Sequence, residues 1–315
     1  MPSRIDPDAL RAQLRPLTQG AELSHDARYY QAYYGLDLLH HRNVQRRLGR
    51  LGRFSVHDYE VAAQSWCPEQ PVATLLVLHG YYDHMGLYRH VVDWGLRMGF
   101  AVLACDLPGH GLSSGPRASI NEFAEYQAVL QGLLREAMDL ELPQPWHLLG
   151  QSTGAAIVLD YLLNQPEHPQ PGRGILLAPL VRPRAWGWSR LSYEVARRFV
   201  TQIPRRFSEN SGDPAFLDFI QTKDPLQPDI LPTAWVGALS RWIPRIEGSP
   251  RSLHSPIIVQ GEADMTVDWQ HNLPVLERSF TAPDILRLPG ARHHLVNERE
   301  TIRRAYFDFL SERLN

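Results

Sequence analysis

The stretch from Trp146 to Leu159 constrains this chain most. An apolar run, Trp146-His147-Leu148-Leu149, ends in Gly150-Gln151-Ser152-Thr153-Gly154, and a helix-forming run, Ala155-Ala156-Ile157-Val158-Leu159, begins at once. Gly-x-Ser-x-Gly alone is a weak signal, because glycine and serine are common in loops. A buried strand before it and a helix after it make it a sharp strand–turn–helix corner that presents a nucleophilic serine. Gly150 and Gly154 are then expected where neighbouring backbone passes too close for a side chain. Ser152 is expected on a strained backbone at a helix N-terminus.

The rest of the chain repeats that rhythm. Ala73–Leu78, Phe100–Cys105, Gly174–Leu180 and Ser255–Gly261 are apolar runs of the kind that fill a parallel sheet buried on both faces. Between them lie helical patterns: Leu87–Gly99, Ser119–Leu140 with Ser119 as N-cap and Glu122 completing a capping box, Thr153–Asn164 and His271–Phe280. Ile285–Leu288 and Glu300–Leu314 close the chain as a strand and an amphipathic helix. Phe54–Trp66 reads as one or two strands at the start. Strand and helix alternate every 25–30 residues or so, which predicts an α/β fold with a mostly parallel, doubly wound sheet.

The rhythm stops between residues 183 and 252. Trp186, Trp188, Trp235, Trp242 and many prolines accompany short helical patterns at Tyr193–Thr201 and Pro214–Thr222, with no strand-like run. The segment reads as an inserted helical cap, so the core is expected at 54–182 and 253–315. Residues 1–53 read as a helical extension. Tyr29, Tyr30, Tyr33 and Tyr34 give it an aromatic face that packs on the core, and Arg42, Arg46, Arg47, Arg50 and Arg53 give it a basic run. Solvated arginines are the simpler reading of that run; transient contact with a membrane surface or contact with an anionic substrate is the sharper one.

Composition narrows the function classes. Of 315 residues, 43% are hydrophobic and 21% charged, with a net charge of −2, so nothing in the charge balance argues for nucleic acid. With only two cysteines, Cys67 and Cys105, no apolar leader and no apolar run long enough for a membrane span, the expected location is the cytoplasm. No cofactor or metal is expected. There is no phosphate-binding glycine loop, and neither the paired His40-His41 nor the cysteines are spaced as metal ligands.

A serine hydroxyl needs a base to take its proton and an acid to orient that base. Both should lie on loops at the C-terminal edge of the sheet. The acid candidate is Asp264, after the strand ending at Val259; Glu262 and Asp268 are alternatives. The base candidate is His293, which position alone does not separate from His294. The oxyanion of an acyl-transfer transition state needs backbone donors. The expected ones are the N–H groups of Thr153, next after the serine, and Tyr81, in the loop after Leu78. His79, His84, His110 and His147 read as structural, and Asp106 as shaping the turn after its strand.

Three further motifs carry a family resemblance. His79-Gly80-Tyr81-Tyr82-Asp83-His84-Met85-Gly86-Leu87-Tyr88, Asp106-Leu107-Pro108-Gly109-His110-Gly111-Leu112-Ser113-Ser114-Gly115 and Gly290-Ala291-Arg292-His293 resemble the loops of the α/β-hydrolase superfamily. Within it they are similar to the monoacylglycerol lipase, lysophospholipase and S33-type serine aminopeptidase group. The chain order Ser152, Asp264, His293 is also that of the superfamily. The resemblance implies an α/β-hydrolase fold with an inserted cap. It selects His293 over His294, and it implies hydrolysis of a carboxylic ester of a small molecule or monoacyl lipid through an acyl-enzyme on Ser152. The chain departs from the lipases at Gln151 and Thr153, where they commonly carry His and Met, and at Asp83, usually Glu. An aminopeptidase or amidase on the same residues is the nearest rival. It calls for acids from the cap at the pocket, with Glu194, Glu209 and Asp218 as candidates. A catalytically silent binding protein is the rival from another class.

Overall fold

The apolar runs become the central strands. In the computed structural model, which describes residues 5–20, 22–37, 50–164 and 171–314, the strands in chain order are β1 (Arg50–Val56), β2 (Tyr59–Trp66), β3 (Ala73–Leu78), β4 (Phe100–Cys105), β5 (Trp146–Gln151), β6 (Gly174–Leu177), β7 (Gln202–Pro204), β8 (Ile230–Pro232), β9 (Ile257–Gly261) and β10 (Asp284–Leu288). Among the described residues they form an eight-stranded sheet in the order β1-β2-β4-β3-β5-β6-β9-β10 and a separate pair, β7-β8. Pairing is antiparallel at β1-β2 and β2-β4 and parallel from β4 through β10.

The helices are α1 (Pro7–Gln13), α2 (His25–Tyr34), α3 (Arg89–Arg97), α4 (Phe123–Asp139), α5 (Thr153–Asn164), α6 (Trp186–Ala196), α7 (Pro214–Thr222), α8 (Thr233–Glu247), α9 (Trp269–Ser279) and α10 (Glu300–Leu314). Alternate residues of each strand serve opposite faces. Leu76, Leu78, Leu103, Leu148 and Ile258 pack with α4, α5, α8 and α9. Leu75, Val77, Val102, Leu149 and Ile257 pack with α2, α3 and α10. Both faces are therefore covered, as continuous apolar strands require.

Several boundaries differ from the sequence reading. Helix α4 starts one turn later than expected, with Glu122 as its N-cap, because the Ser119 N–H is spent on Pro116 O and the Glu125 carboxylate accepts the Glu122 N–H at 2.8 Å. β6 stops at Leu177, because Ala178 turns the backbone to φ +43° and Pro179 has no N–H to continue a ladder. β1 begins at Arg50, so Arg50 and Arg53 are strand residues; Leu38, Leu39, Arg42, Arg46, Arg47 and Leu48 lie outside the described residues. The helix expected at Tyr193–Thr201 is α6, ending at Ala196, and the chain beyond it is drawn into β7. That strand and β8 correct the reading of residues 183–252 as strand-free. Cys67 and Cys105 are both free.

Residues 183–252 are fastened to the rest at several buried points, two of them carboxylates. Asp160 on α5, 1% exposed, accepts Trp242 Nε1–H at 2.8 Å and also bonds Arg245, both on α8. Asp224, after α7, bonds His84 Nε2 at 2.9 Å and accepts the Tyr34 hydroxyl of α2 at 2.7 Å. Tyr30 and Tyr34 are the buried half of the aromatic face on α2. Burial pushes the Asp224 carboxyl up, but His84 and the hydrogen bonds from His84, Tyr34 and Gln227 outweigh it and bring it down to about 2. Burial pushes His84 down, and the attraction of Asp224 outweighs it, so His84 is raised.

A raised histidine contributes stability below its unfolded pKa of about 6.5 and loses it as pH rises through the folded value; a depressed aspartate contributes above about 3.9 and loses it as pH falls through its folded value. Asp224→Ala, which leaves His84 buried without its partner, is expected to cost about 3–5 kcal/mol. Denaturant melts at stepped pH should show the gap widest between about pH 4 and 6.5 and narrowing on either side. A gap independent of pH would show that the pair is not ionised.

Candidate active site

The corner between β5 and α5 is built by close backbone approach. A Cβ at Gly150 would lie 2.2 Å from Gly154 C, and one at Gly154 would lie 2.1 Å from Leu78 O, so neither position admits a side chain. Between them Ser152 sits at φ +55°, a conformation that costs a non-glycine residue about 1–3 kcal/mol. The Ser152 N–H donates to Leu177 O at 2.8 Å, and its carbonyl accepts the Ala156 N–H at 2.9 Å. These bonds fix the turn, and its side chain projects at the C-terminal edge of the sheet.

Ser152, Asp264 and His293 come together there. His293 Nδ1 lies 2.7 Å from Asp264 Oδ2, and His293 Nε2 lies 2.9 Å from Ser152 Oγ. With Nδ1 donating to the carboxylate, Nε2 is left to accept from the hydroxyl. Asp264 Oδ1 accepts Thr266 N–H at 2.8 Å and Val267 N–H at 3.1 Å, while Gln260 Nε2 donates to Oδ2 at 3.2 Å. Burial pushes the Asp264 carboxyl up, but His293 and these hydrogen bonds outweigh it, so Asp264 is held below the ordinary carboxylate range. The alternative acids lie elsewhere: Glu262 pairs with Arg287, and Asp268 caps α9. His294 turns the other way, its Nε2 3.0 Å from Asp83 Oδ1.

That last contact belongs to a network absent from the sequence reading. Asp83 Oδ2 accepts the Tyr88 hydroxyl at 3.0 Å, and the Tyr88 oxygen accepts the Gly80 N–H at 2.9 Å. The Asp83 N–H donates to Gly80 O, so the loop carrying Tyr81 is pinned on both sides. The Tyr81 ring stacks on Trp235 of α8, with centroids 3.8 Å apart. Gln151 Nε2 donates to His293 O at 2.8 Å, tying the corner to the histidine loop. No spacing rule marks Gln151 or Asp83; only their partners reveal the role. Thr153 is the first residue of α5, so its N–H has no partner within the helix.

His79 and His110 have the structural roles expected. His79 Nδ1 bonds Gly80 O and Nε2 accepts the Leu107 N–H, while burial pushes His110 down to about 3. Asp106 shapes its turn by accepting the Met85 and Leu112 N–H groups, each at 2.7 Å. Among the described residues no group of three or more His, Cys, Asp or Glu is arranged to hold a metal.

A cavity of about 270 Å³ opens beside Ser152 and His293, with Tyr81 and Thr153 in its wall. Its lining includes the apolar Leu180, Ile220, Leu231, Trp235 and Val267 and the polar Arg205, Arg206, Ser208 and Asn210. Of the four tryptophans expected in this region only Trp235 lines the cavity. Trp242 is buried against Phe123, and Trp188 is 76% exposed.

The sheet order, the strand–turn–helix corner and the Ser–His–Asp line define an α/β-hydrolase. Comparison with known proteins narrows this: the family described as serine aminopeptidase S33 matches residues 69–300, and the chain belongs to it. Monoacylglycerol lipase of Mycolicibacterium smegmatis is 26% identical over 244 residues, 75% of this chain and 86% of that protein. Phospholipase YtpA of Bacillus subtilis is 29% identical over 115 residues. The chain spans 43% of YtpA and 13% of a Dictyostelium discoideum abhydrolase domain-containing protein. A soluble variant of the Saccharomyces cerevisiae monoglyceride lipase superposes with a TM-score of 0.73 at 16% identity, covering 86% of this chain and 96% of that one, a likeness of fold. In sequence and fold the chain is thus similar to monoglyceride lipases.

Removing the Tyr88 hydroxyl should loosen the Tyr81 loop. Tyr88→Phe leaves the Gly80 N–H without its acceptor and is expected to cost about 1–3 kcal/mol in stability. A steady-state assay should show kcat falling with KM little changed. Unchanged melting and unchanged kcat would show that the hydroxyl does not hold the loop.

Proposed function

We propose that the chain is a serine hydrolase of carboxylic esters and that its substrates are monoacyl lipids. The observation that carries this is the hydrogen-bonded line from Ser152 through His293 to Asp264 at the wall of a half-apolar cavity. Ser152 Oγ attacks the ester carbonyl while His293 Nε2 takes its proton; Asp264 keeps Nδ1 protonated and steadies the imidazolium that forms. The Tyr81 and Thr153 N–H groups hold the oxyanion, each worth about 3–4 kcal/mol in the transition state. Collapse expels the alcohol, which takes the proton from His293, and water then releases the acyl group by the same route. Residues 183–252 act as the cap: Trp235, Leu231 and Ile220 give the acyl chain an apolar wall and exclude water.

The aminopeptidase reading has less support. Glu209 is turned to Arg292 and Asp218 to Lys223, neither lines the cavity, and the side chain of Glu194 lies outside the described residues. The polar side chains that residues 183–252 contribute are basic or neutral, the wrong sign for an amine. One feature fits a lipid substrate met at a surface. Trp188 and Phe199 stand 76% and 81% exposed on the same segment, suiting transient membrane contact. No helix among the described residues is long and apolar enough to cross a membrane. Two free thiols fit a cytoplasmic location.

A fluorophosphonate probe should label Ser152, and Ser152→Ala should lose both labelling and ester turnover by a factor on the order of 10³ or more. Retained turnover in that variant would sink the mechanism. Asp264→Asn should keep the fold and lower kcat by a factor on the order of 10³–10⁴, through the wrong histidine tautomer. On p-nitrophenyl esters, activity should peak at a chain longer than acetyl; a profile highest at acetate would argue against an acyl-lipid substrate.

A further inference from the structure

Two arginines share the cavity with Ser152. Arg205 follows β7, and its guanidinium lies between two aromatic rings, 4.1 Å from the centroid of Tyr82 and 4.2 Å from that of Phe207. Its Nη1 donates to Gln227 Oε1 at 2.7 Å and to Pro228 O at 3.0 Å, both uncharged acceptors. Its backbone N–H is spent on Asp229 O. The side chain is therefore oriented on one edge, and Nε and Nη2 have no hydrogen-bond acceptor among the described residues. Arg206 stands next to it, exposed at the cavity mouth.

Neither arginine has a carboxylate within ion-pair distance among the described residues. Other arginines around this segment do: Arg182 pairs with Glu247, Arg241 with Glu122, Arg245 with Asp160 and Arg292 with Glu209. The one acid in the cavity wall, Asp83, is already held by His294 and Tyr88. The cavity wall thus carries two positive charges with no ion-pair partner among the described residues, together with its apolar lining. One of them is fixed by ring faces in the way guanidinium planes are held for recognition of oxyanions.

We propose that Arg205, assisted by Arg206, reads a phosphate on the alcohol portion of the substrate, so that the preferred substrates are acyl esters of phosphate-bearing alcohols over neutral glycerol esters. The proposal rests on the ester-hydrolase reading above and specifies its substrate. The guanidinium fork matches two phosphate oxygens, and two adjacent positive charges suit a phosphate better than a neutral diol. The acyl chain lies against Leu231 and Trp235, its carbonyl at Ser152, and the phosphate at Arg205. The reaction is hydrolysis: the bond from Ser152 Oγ to the acyl carbon forms, and the ester bond to the glycerol oxygen breaks. That oxygen takes the proton held by His293, and water then cleaves the acyl-enzyme to fatty acid and free Ser152. Glycerol 3-phosphate and a fatty acid are the products when the substrate is 1-oleoyl-glycerol 3-phosphate.

The test measures kcat/KM on 1-oleoyl-glycerol 3-phosphate and on 1-oleoyl-glycerol for the wild type, Arg205→Met, Arg205→Lys and Arg206→Gln. The wild type is expected to favour the phosphate ester, and Arg205→Met to lower the ratio by about tenfold or more. Arg205→Lys should restore part of it, since it keeps the charge but loses the fork. Arg206→Gln should lower it less, with an effect that fades as salt is raised. A wild type that favours the neutral ester, or a ratio unmoved in both Arg205→Met and Arg206→Gln, would overturn the proposal. If Arg205→Met does not fold, Arg206→Gln and competitive inhibition of the wild type by glycerol 3-phosphate decide, and absence of both effects overturns it. If neither lipid is turned over, binding of the two lipids to Ser152→Ala is compared; equal affinity overturns the proposal. Probe labelling of Ser152 and turnover of p-nitrophenyl esters report the underlying reading separately. Their loss sinks that reading, whereas their presence with an unmoved ratio sinks only the phosphate assignment.

Discussion

The structure depends on one close approach. Leu78 O at the end of β3 and Gly154 at the start of α5 pass within a distance that excludes any Cβ, and Gly150 meets the same helix start from the other side. That contact sets how steeply α5 leaves the sheet and holds Ser152 at φ +55°. It also brings the loop after β3 beside the first free N–H groups of α5. One packing constraint therefore places the hydroxyl and both candidate oxyanion donors on the same edge, and the parallel sheet delivers Asp264 and His293 to that edge from β9 and β10.

Around this corner the polar groups form a connected system rather than isolated pairs. Gln151 ties the corner to the His293 loop, Asp83 ties the next histidine to the Tyr81 loop through Tyr88, and Trp235 stacks on Tyr81 from α8. Farther out, Asp224 joins α2, the loop after β3 and residues 183–252 in a single buried knot. Buried polar groups are costly unless satisfied, so each such knot favours one arrangement of the elements it joins. Residues 183–252 are held by charge and hydrogen bonds at several points, Asp160, Asp224 and Ser211 among the buried ones. Its outer surface, with Trp188 and Phe199, stays apolar and exposed.

Much of this was legible beforehand. Apolar strands buried on both faces leave an unmistakable pattern, so β3, β4 and the elbow helix were readable to the residue and β5 to within two. Boundaries drifted where a hydrogen bond outside the local pattern decided them, as when Glu122 and Glu125 took the start of α4 from Ser119. The strands β7 and β8 were missed because each is three residues long and ends on a proline, too short for alternation to show. Within residues 183–252, composition offered four tryptophans as equals, and packing sent Trp235 to the cavity, Trp242 to the core and Trp188 to the surface, with Trp186 half-buried against the core.

By itself the sequence determined the layered architecture, the sharp corner at Ser152 and a short set of partners for it, because strand burial, helix periodicity and backbone clearance are local properties of the chain. The sequence offered Asp264 as the acid and, by resemblance rather than position, His293 over His294; the tertiary structure is what brings these two to the serine. His293 and His294 have the same chemistry and differ by one peptide unit, and only the loop's path turns one to Asp264 and the other to Asp83. It alone also set Arg205 and Arg206 against the cavity without carboxylate partners among the described residues, since charge pairing across 20 or more residues depends on distances that sequence does not contain.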